Sequence, residues 1–301
     1  MSLAESNMYD WRVKALLNWI DQNKIDGKLE MEKLAAAGHL DQYHYLGLEA
    51  NNEVIDILGL SASSTILDVG CGIGGPARYI AWKSGATIMG IDIQNDLVEC
   101  GNSVSELVGL QSQVSLVAGD VVTYPWETNS FDAFISLLVI LHIEDRTGLF
   151  ASLFAPVKPG GAFLIEDMVA LEPFGAEETR IAQTVIGAPN LPSVETYRRQ
   201  LETAGWVDIE FEFLTKEWTQ WCINRSDQYV ESREKQVSLH GETIFNQRCV
   251  FYADVKKLFV SNKLGGVRIT GRKPTQIETA LRRHRVKGES KQVGQKFILE
   301  L

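Results

Sequence analysis

Along the 301-residue chain the spacing of apolar positions changes several times. Residues 9–22 put Val13, Leu16, Leu17 and Ile20 on one helical face, and 31–37 and 52–58 are shorter helical stretches. From Thr65 onward short continuous apolar runs take over: strands starting at Thr65 and over 86–91, 114–118, 133–136 and 162–165, with a helix over 77–83. Strand–helix alternation through residue 168 is the pattern of an α/β protein with a doubly wound sheet. Residues 193–205 then read as an amphipathic helix, with Ser193 as its N-cap and Gly205 at its end. In 206–214, Val207, Ile209, Phe211 and Phe213 alternate with a period of two, and a partner strand over 266–271 would complete a late antiparallel hairpin. The intervening 215–263 are too long for a turn and have helical periodicity.

These patterns divide the chain into a helical lid over 1–60, a core over 61–275 that includes the 215–263 insertion, and a tail over 276–301. The tail is basic, with Arg282, Arg283, Arg285 and Lys287. A cap over a substrate pocket and a homodimerisation surface are equal readings of the insertion.

The candidate chemistry begins in TILDVGCGIGGPAR, residues 65–78. The strand delivers Asp68 to the carboxyl edge of the sheet. Gly70, Gly72 and Gly74 then let the chain turn sharply and expose bare backbone, and Pro76 suits the first turn of a helix. Asp92, ending the second strand, is placed to accept from ribose hydroxyls, with Ile93 beside it. A nicotinamide dinucleotide site shares this layout, but its glycines follow a different spacing. The acidic Asp68 also suits a ligand with a cationic end and disfavours a pyrophosphate. After the 114–118 strand, Asp120 can accept from an adenine amine and Val121 offers a backbone N–H.

ILDVGCGIGG, GIDI, AGDV, NSFDAFIS and VKPGGAFLI occur in an order and spacing that closely resemble the class I S-adenosylmethionine-dependent methyltransferases, over residues 50–272. The resemblance implies a Rossmann-like seven-stranded sheet ending in an antiparallel hairpin, and S-adenosyl-L-methionine as cofactor, with S-adenosyl-L-homocysteine as product. It implies cofactor contacts from Asp68, Gly70, Gly72, Gly74, Asp92, Ile93, Asp120 and Val121, and from Leu137, where the family often offers backbone to the cofactor's amino group.

Charge narrows the partners. Asp plus Glu number 39 against 29 Lys plus Arg, a net charge of −10, which argues against a nucleic-acid substrate and for a small-molecule acceptor. Cys71, Cys100, Cys222 and Cys249 are scattered without metal-ligand spacing, so no metal is expected and reduced thiols in a cytoplasmic protein are. Neither a secretory signal nor a long apolar span appears in the sequence.

On the acceptor side, His142 follows the fourth strand, where a neutral imidazole can take a proton; a purely packing role is its equal alternative. Tyr43 and Tyr45, in DQYHYLG, are aromatics that either close over the site or pack the lid. Within the family the chain looks most like the sarcosine/dimethylglycine, phosphoethanolamine and sterol or tocopherol methyltransferases. In the phosphoethanolamine enzymes a Tyr and the His of an L-H motif form a catalytic pair; His142 matches that His, and Tyr43 or Tyr45 is the candidate Tyr. Those enzymes carry an acid four residues before the His. Leu138 stands there in this chain, which favours a less charged acceptor. The resulting expectation is N-methylation of a small amine, with C- or O-methylation of a more apolar acceptor next, and a catalytically silent cofactor-binding protein as the reading of another class.

Overall fold

The structure is a computed structural model, described over residues 10–281. The chain enters through α1 (Asp10–Asn23), α2 (Met31–Ala36), a single turn at Gly38–Leu40 and α3 (Leu48–Leu58). The third helix starts four residues earlier than its apolar spacing suggests, because Gly47, at φ 56°, reverses the chain directly before it.

The core then alternates: β1 (Thr65–Val69), α4 (Gly75–Ser84), β2 (Thr87–Asp92), α5 (Asn95–Leu107), β3 (Val114–Ala118), β4 (Phe131–Leu137), α6 (Arg146–Phe154) and β5 (Val157–Ala170). The seven strands lie in the order β3-β2-β1-β4-β5-β7-β6. The first five run parallel, and β7 (Leu264–Arg272) is antiparallel to both β5 and β6 (Val207–Phe213). This is the expected doubly wound sheet with a late antiparallel hairpin.

Successive strand residues serve opposite faces, so both faces are buried and the strands read as continuous apolar runs. Ile66, Ile88 and Ile135 pack under α3, α4 and α5, while Leu67, Ile91 and Phe134 pack against α6, Tyr197, Leu201 and Trp206. Ser193 caps α8 (Val194–Thr203) by accepting from the Thr196 N–H. Strand β5 runs well beyond the 162–165 core legible in sequence. It pairs with β7 from Ala162↔Arg272 to Ala170↔Leu264, and that ladder carries it through the polar Glu166 and Asp167. Arg268 on β7 donates to Glu166 Oε1, and Tyr197 donates to Asp167 Oδ2, which gives each carboxylate a partner inside the core while Glu166 Oε2 is left without one.

The insertion consists of α9 (Thr215–Glu231) and α10 (Arg233–Val260), the second bent at Gly241, whose φ is 81°. Gly266 lets the pair approach the sheet: a Cβ there would overlap the Trp218 ring. Trp218, Cys222, Val255, Leu258 and Phe259 form a cluster with Tyr45, Leu141 and Met168. Helix α7 (Ala176–Ile181) continues into a π-helical turn, Ala182–Ile186, on the same side. The basic run Arg282 to Lys287 lies outside the described residues, as do the first nine residues of the 1–60 segment. Among the described residues no helix is long and apolar enough to cross a membrane.

Candidate active site

The strand order reverses between β1 and β4, and a crevice opens at the carboxyl ends of the strands there. It holds a cavity of about 400 Å³. Gly70 leaves β1 at φ 73°, with its N–H donating to the Ile91 carbonyl at 2.8 Å. Gly72, at φ 52°, donates its N–H to Asp92 Oδ2 at 2.8 Å, and Gln94 N–H donates to Asp92 Oδ1 at 2.9 Å. Each Asp92 oxygen therefore has one lone pair engaged and further acceptor capacity left.

The cavity brings together Gly70, Gly72, Asp92, Ile93, Asp120, Val121, Leu137, His142, Tyr43 and Tyr45. Asp68 and Gly74 stand behind this lining. Gly74, at φ 78°, precedes α4, and a Cβ there would press on Leu116; its role is to dock the helix on the sheet. Asp68 is 2% exposed and its Oδ2 has no hydrogen-bond partner. Burial, and then repulsion from Asp92, push its carboxyl up to about 7. A buried carboxylate oxygen without a partner beside a bare glycine turn suits a ligand that brings a cation and hydrogen-bond donors.

Asp92 itself is shifted up by burial, with the backbone N–H bonds opposing. Asp120 is exposed at the end of β3, where its Oδ1 accepts from the Val122 N–H at 2.9 Å. Leu137 ends β4, and the following Leu138 adopts φ 59°, a left-handed conformation held by its N–H bond to the Glu166 carbonyl. Cys71 is buried against Gly90, and burial pushes its thiol up, so it fills space and is no nucleophile.

His142 sits in the tight turn Ile140–His142, with Nδ1 3.0 Å from the Gly187 carbonyl. A carbonyl only accepts, so Nδ1 carries the proton and the neutral ring keeps its lone pair on Nε2. Burial pushes the imidazole below its ordinary value; the Gly187 bond and Asp92 oppose that. The two tyrosines separate. Tyr43 carries the Arg12 guanidinium 4.4 Å from its ring centroid. Tyr45 is stacked on Trp221 at 4.3 Å and set edge-on to Trp218 at 4.8 Å, and its hydroxyl bonds the Cys222 thiol. Of the other aromatics, Trp221 lines the cavity, Trp218 is buried behind it, and Phe174 lies in the neighbouring cluster.

Sequence reasoning missed Arg12, His39, Met168, Ile186, Arg248, Phe251 and Tyr252, all of which line the cavity. Ile186 among them ends the π-helical turn before Gly187, a kind of turn that gathers at functional sites and is seen only in the fold.

The family described as a methyltransferase domain matches residues 67–165. The chain is 32% identical to phosphoethanolamine N-methyltransferase 1 of Triticum aestivum over 233 residues, 77% of this chain and 43% of that protein. It is 34% identical to sterol 24-C-methyltransferase of Yarrowia lipolytica over 161 residues, 52% of this chain and 42% of that protein. The chain thus spans less than half the length of these curated relatives. Its fold is similar to that of Haemonchus contortus phosphoethanolamine N-methyltransferase 2, solved with phosphomonomethylethanolamine and S-adenosylhomocysteine. That similarity has a TM-score of 0.71 at 21% identity and covers 76% of this chain and 53% of the other. With the glycine turn, the strand order and the matched family model in agreement, residues 67–165 carry a methyltransferase domain, and the chain is similar to the class I S-adenosylmethionine-dependent methyltransferases.

Proposed function

We propose that the protein transfers a methyl group from S-adenosylmethionine to the nitrogen of a small amine. The observation that carries this reading is the convergence of the Gly70–Gly72 backbone, the anchored Asp92 carboxylate and His142 on one cavity. Gly70 and Gly72 lie along the methionine portion, with Gly74 shaping the turn behind them and Asp68 as counter-charge to the ammonium. Asp92 and Ile93 take the ribose, Asp120 and Val121 take the adenine, and Leu137 offers backbone to the amino group. The bound cofactor supplies a methyl already activated by its sulfonium, which leaves alignment and exclusion of water to the protein.

His142 Nε2 accepts the proton of an amine that arrives protonated, and the Gly187 carbonyl fixes the tautomer this needs. Tyr43 helps to position the acceptor. Tyr45, whose hydroxyl is taken by Cys222, serves as an aromatic wall. The 1–60 segment acts as a lid and the 215–263 insertion as a cap, since Tyr43 and Tyr45 from one and Trp221 and Phe251 from the other face the same cavity. The names of the wheat and nematode relatives support nitrogen as the accepting atom. One observation favours carbon methylation as a second reading: apolar Leu138, Val139, Leu141 and Ile186 surround His142, and the Yarrowia relative is a sterol enzyme.

The test is a radiolabelled methyl-transfer screen over amines, phenols, sterols and thiols, run beside calorimetry with S-adenosylhomocysteine. Transfer to an amine supports the reading and transfer to a sterol selects the second. Binding of S-adenosylhomocysteine with no transfer to any acceptor class overturns both in favour of a silent binder.

A further inference from the structure

Arg146 opens α6 just after the His142 turn and is 3% exposed. Burying a guanidinium costs free energy unless its N–H groups find acceptors. Among the described residues its hydrogen bonds all go to carbonyl oxygens. Nη1 donates to the Ile143 carbonyl at 3.0 Å and to the Asn190 carbonyl at 3.1 Å. Nη2 donates to Asn190 Oδ1, and Nε donates to Gln200 Oε1 at 3.4 Å. Tyr197 and Asp167 offset the charge through space. A buried cation whose bonds are spent on main-chain and amide oxygens joins segments of chain.

The joined segments meet at His142. Ile143 follows the imidazole directly and caps its turn. Asn190 lies just beyond Gly187, whose carbonyl takes the Nδ1–H of His142 at 3.0 Å. Gly187 closes the π-helical turn at φ 81°, and the loop after it is pinned at both ends. The Ala188 N–H bonds the Ala182 carbonyl at 2.8 Å, and the Pro192 carbonyl accepts from the Ala170 N–H at 3.0 Å. Between those pins the loop is held to the His142 turn by the Arg146 fork. On the other side of the imidazole, the Leu141 N–H bonds Asp167, whose Oδ2 accepts from Tyr197 at 3.0 Å. A planar guanidinium reaches two acceptors at a fixed angle, which a lysine ammonium does not.

Resting on the methyl-transfer reading above, with His142 as proton acceptor, we infer that Arg146 is a positioning residue for that imidazole. By fastening Ile143 to Asn190 it holds the Gly187 carbonyl against His142 Nδ1, and so keeps the lone pair on Nε2. Asn190 receives the fork with both its main-chain and its side-chain oxygen and completes the device. Without the fork the Gly187 carbonyl drifts from the ring, and the proton is free to reside on either nitrogen.

Nitrogen NMR of the full chain, labelled at its five histidines, reads the tautomer directly, because protonated and bare ring nitrogens resonate apart. The signal lost in His142→Gln assigns His142. At neutral pH the wild type is expected to show the Nδ1–H form. In Arg146→Met the two nitrogen signals should move toward each other, and Arg146→Lys, which still reaches one carbonyl, should recover part of that change. Turnover of the amine found by the methyl-transfer screen is expected to fall about 10–10²-fold in Arg146→Met, the scale of a misplaced catalytic group. Affinity for S-adenosylhomocysteine should stay within about twofold, which certifies the fold. In a His142→Gln background the same substitution should change kcat less than about twofold, since a residue acting through the imidazole has nothing left to act on. A merely structural role lowers kcat in both backgrounds. Asn190→Ala is the milder second variant, expected to shift the tautomer in the same direction, and it carries the test if Arg146→Met does not fold. A tautomer unchanged in the folded variants, or an equal fall in kcat in both backgrounds, overturns the inference. If the wild type transfers no methyl to any acceptor, the methyl-transfer reading falls instead, and the tautomer of the variants still decides whether Arg146 sets the imidazole.

Discussion

The Gly72 N–H donates to Asp92 Oδ2 at 2.8 Å, joining the glycine turn after β1 to the carboxylate that ends β2. Asp92 therefore has two duties: it shapes the turn and faces the cavity. Asp92→Ala removes a charged acceptor and frees the turn together. The expected loss in affinity for S-adenosylhomocysteine is about 2–4 kcal/mol, by the scale of charge-assisted hydrogen bonds. Calorimetry checks it, and an unchanged affinity would remove Asp92 from the ribose site.

Gly70 is held in place by two constraints of different kind. Its φ of 73° lies in the left-handed region, and a Cβ would overlap the Val139 methyl groups. Gly70→Ala is expected to destabilise the fold by about 2–4 kcal/mol, from the left-handed conformation and from overpacking. Adding Val139→Ala should relieve only the overpacking. Denaturant unfolding of the single and double variants separates the two contributions.

The turn was legible because its chemistry is local: alternating glycines, an acid before them and a carboxylate one strand later occupy adjacent stretches. The Ser193 cap and the period-two β6 were legible for the same reason. The length of β5 was not, because Glu166 finds Arg268 102 positions away and no local pattern announces that pairing. Gly74 carries the same signature as Gly70 and Gly72, yet meets Leu116 rather than the cavity, a distinction made only by packing. Arg12, Arg248 and Tyr252 escaped notice because Arg12 lies on α1 while Arg248 and Tyr252 lie on α10, 236 or more residues further along the chain. Their convergence depends on how the insertion folds back over the sheet.

Asp41 and Arg78 form an ion pair whose side chains are both fully buried, and Arg78 also donates to the Gly101 carbonyl. This pair ties the segment bearing Tyr43 to α4. Asp41→Ala leaves a buried guanidinium without its carboxylate and is expected to cost about 3–5 kcal/mol. The double change Asp41→Leu with Arg78→Met should cost far less, since it removes both charges. Unfolding free energies of the three proteins test this, and equal losses in single and double variants would contradict it.

Asp68 makes stability depend on pH. Its carboxyl is raised from 3.8 to about 7 in the folded protein, so between those values the native state holds a proton that the unfolded chain has released. Stability is therefore lost as pH rises through this window, and the loss is complete above about 7. Asp68→Asn should be more stable than the wild type at pH 8, with the gap closing toward pH 4. A cationic ligand favours the ionised carboxyl. Binding of S-adenosylhomocysteine near pH 7 should accordingly release a proton, seen as a calorimetric heat that varies with the buffer's ionisation enthalpy and does so less in Asp68→Asn.

His142 offers the sharpest test of a proton-accepting role, because its geometry and its titration point the same way. The Gly187 carbonyl holds the proton on Nδ1, and burial keeps the ring neutral to below pH 6.5, so Nε2 is available as an acceptor at neutral pH. If it takes the amine's proton, kcat should fall on the acid side only below pH 6.5. His142→Gln should lower kcat by about 10²–10⁴-fold and abolish that acid limb, while affinity for S-adenosylhomocysteine stays within about twofold. A variant that keeps both its kcat and its acid limb would leave the imidazole as a packing group against Gly187, with the amine reaching the cavity already deprotonated.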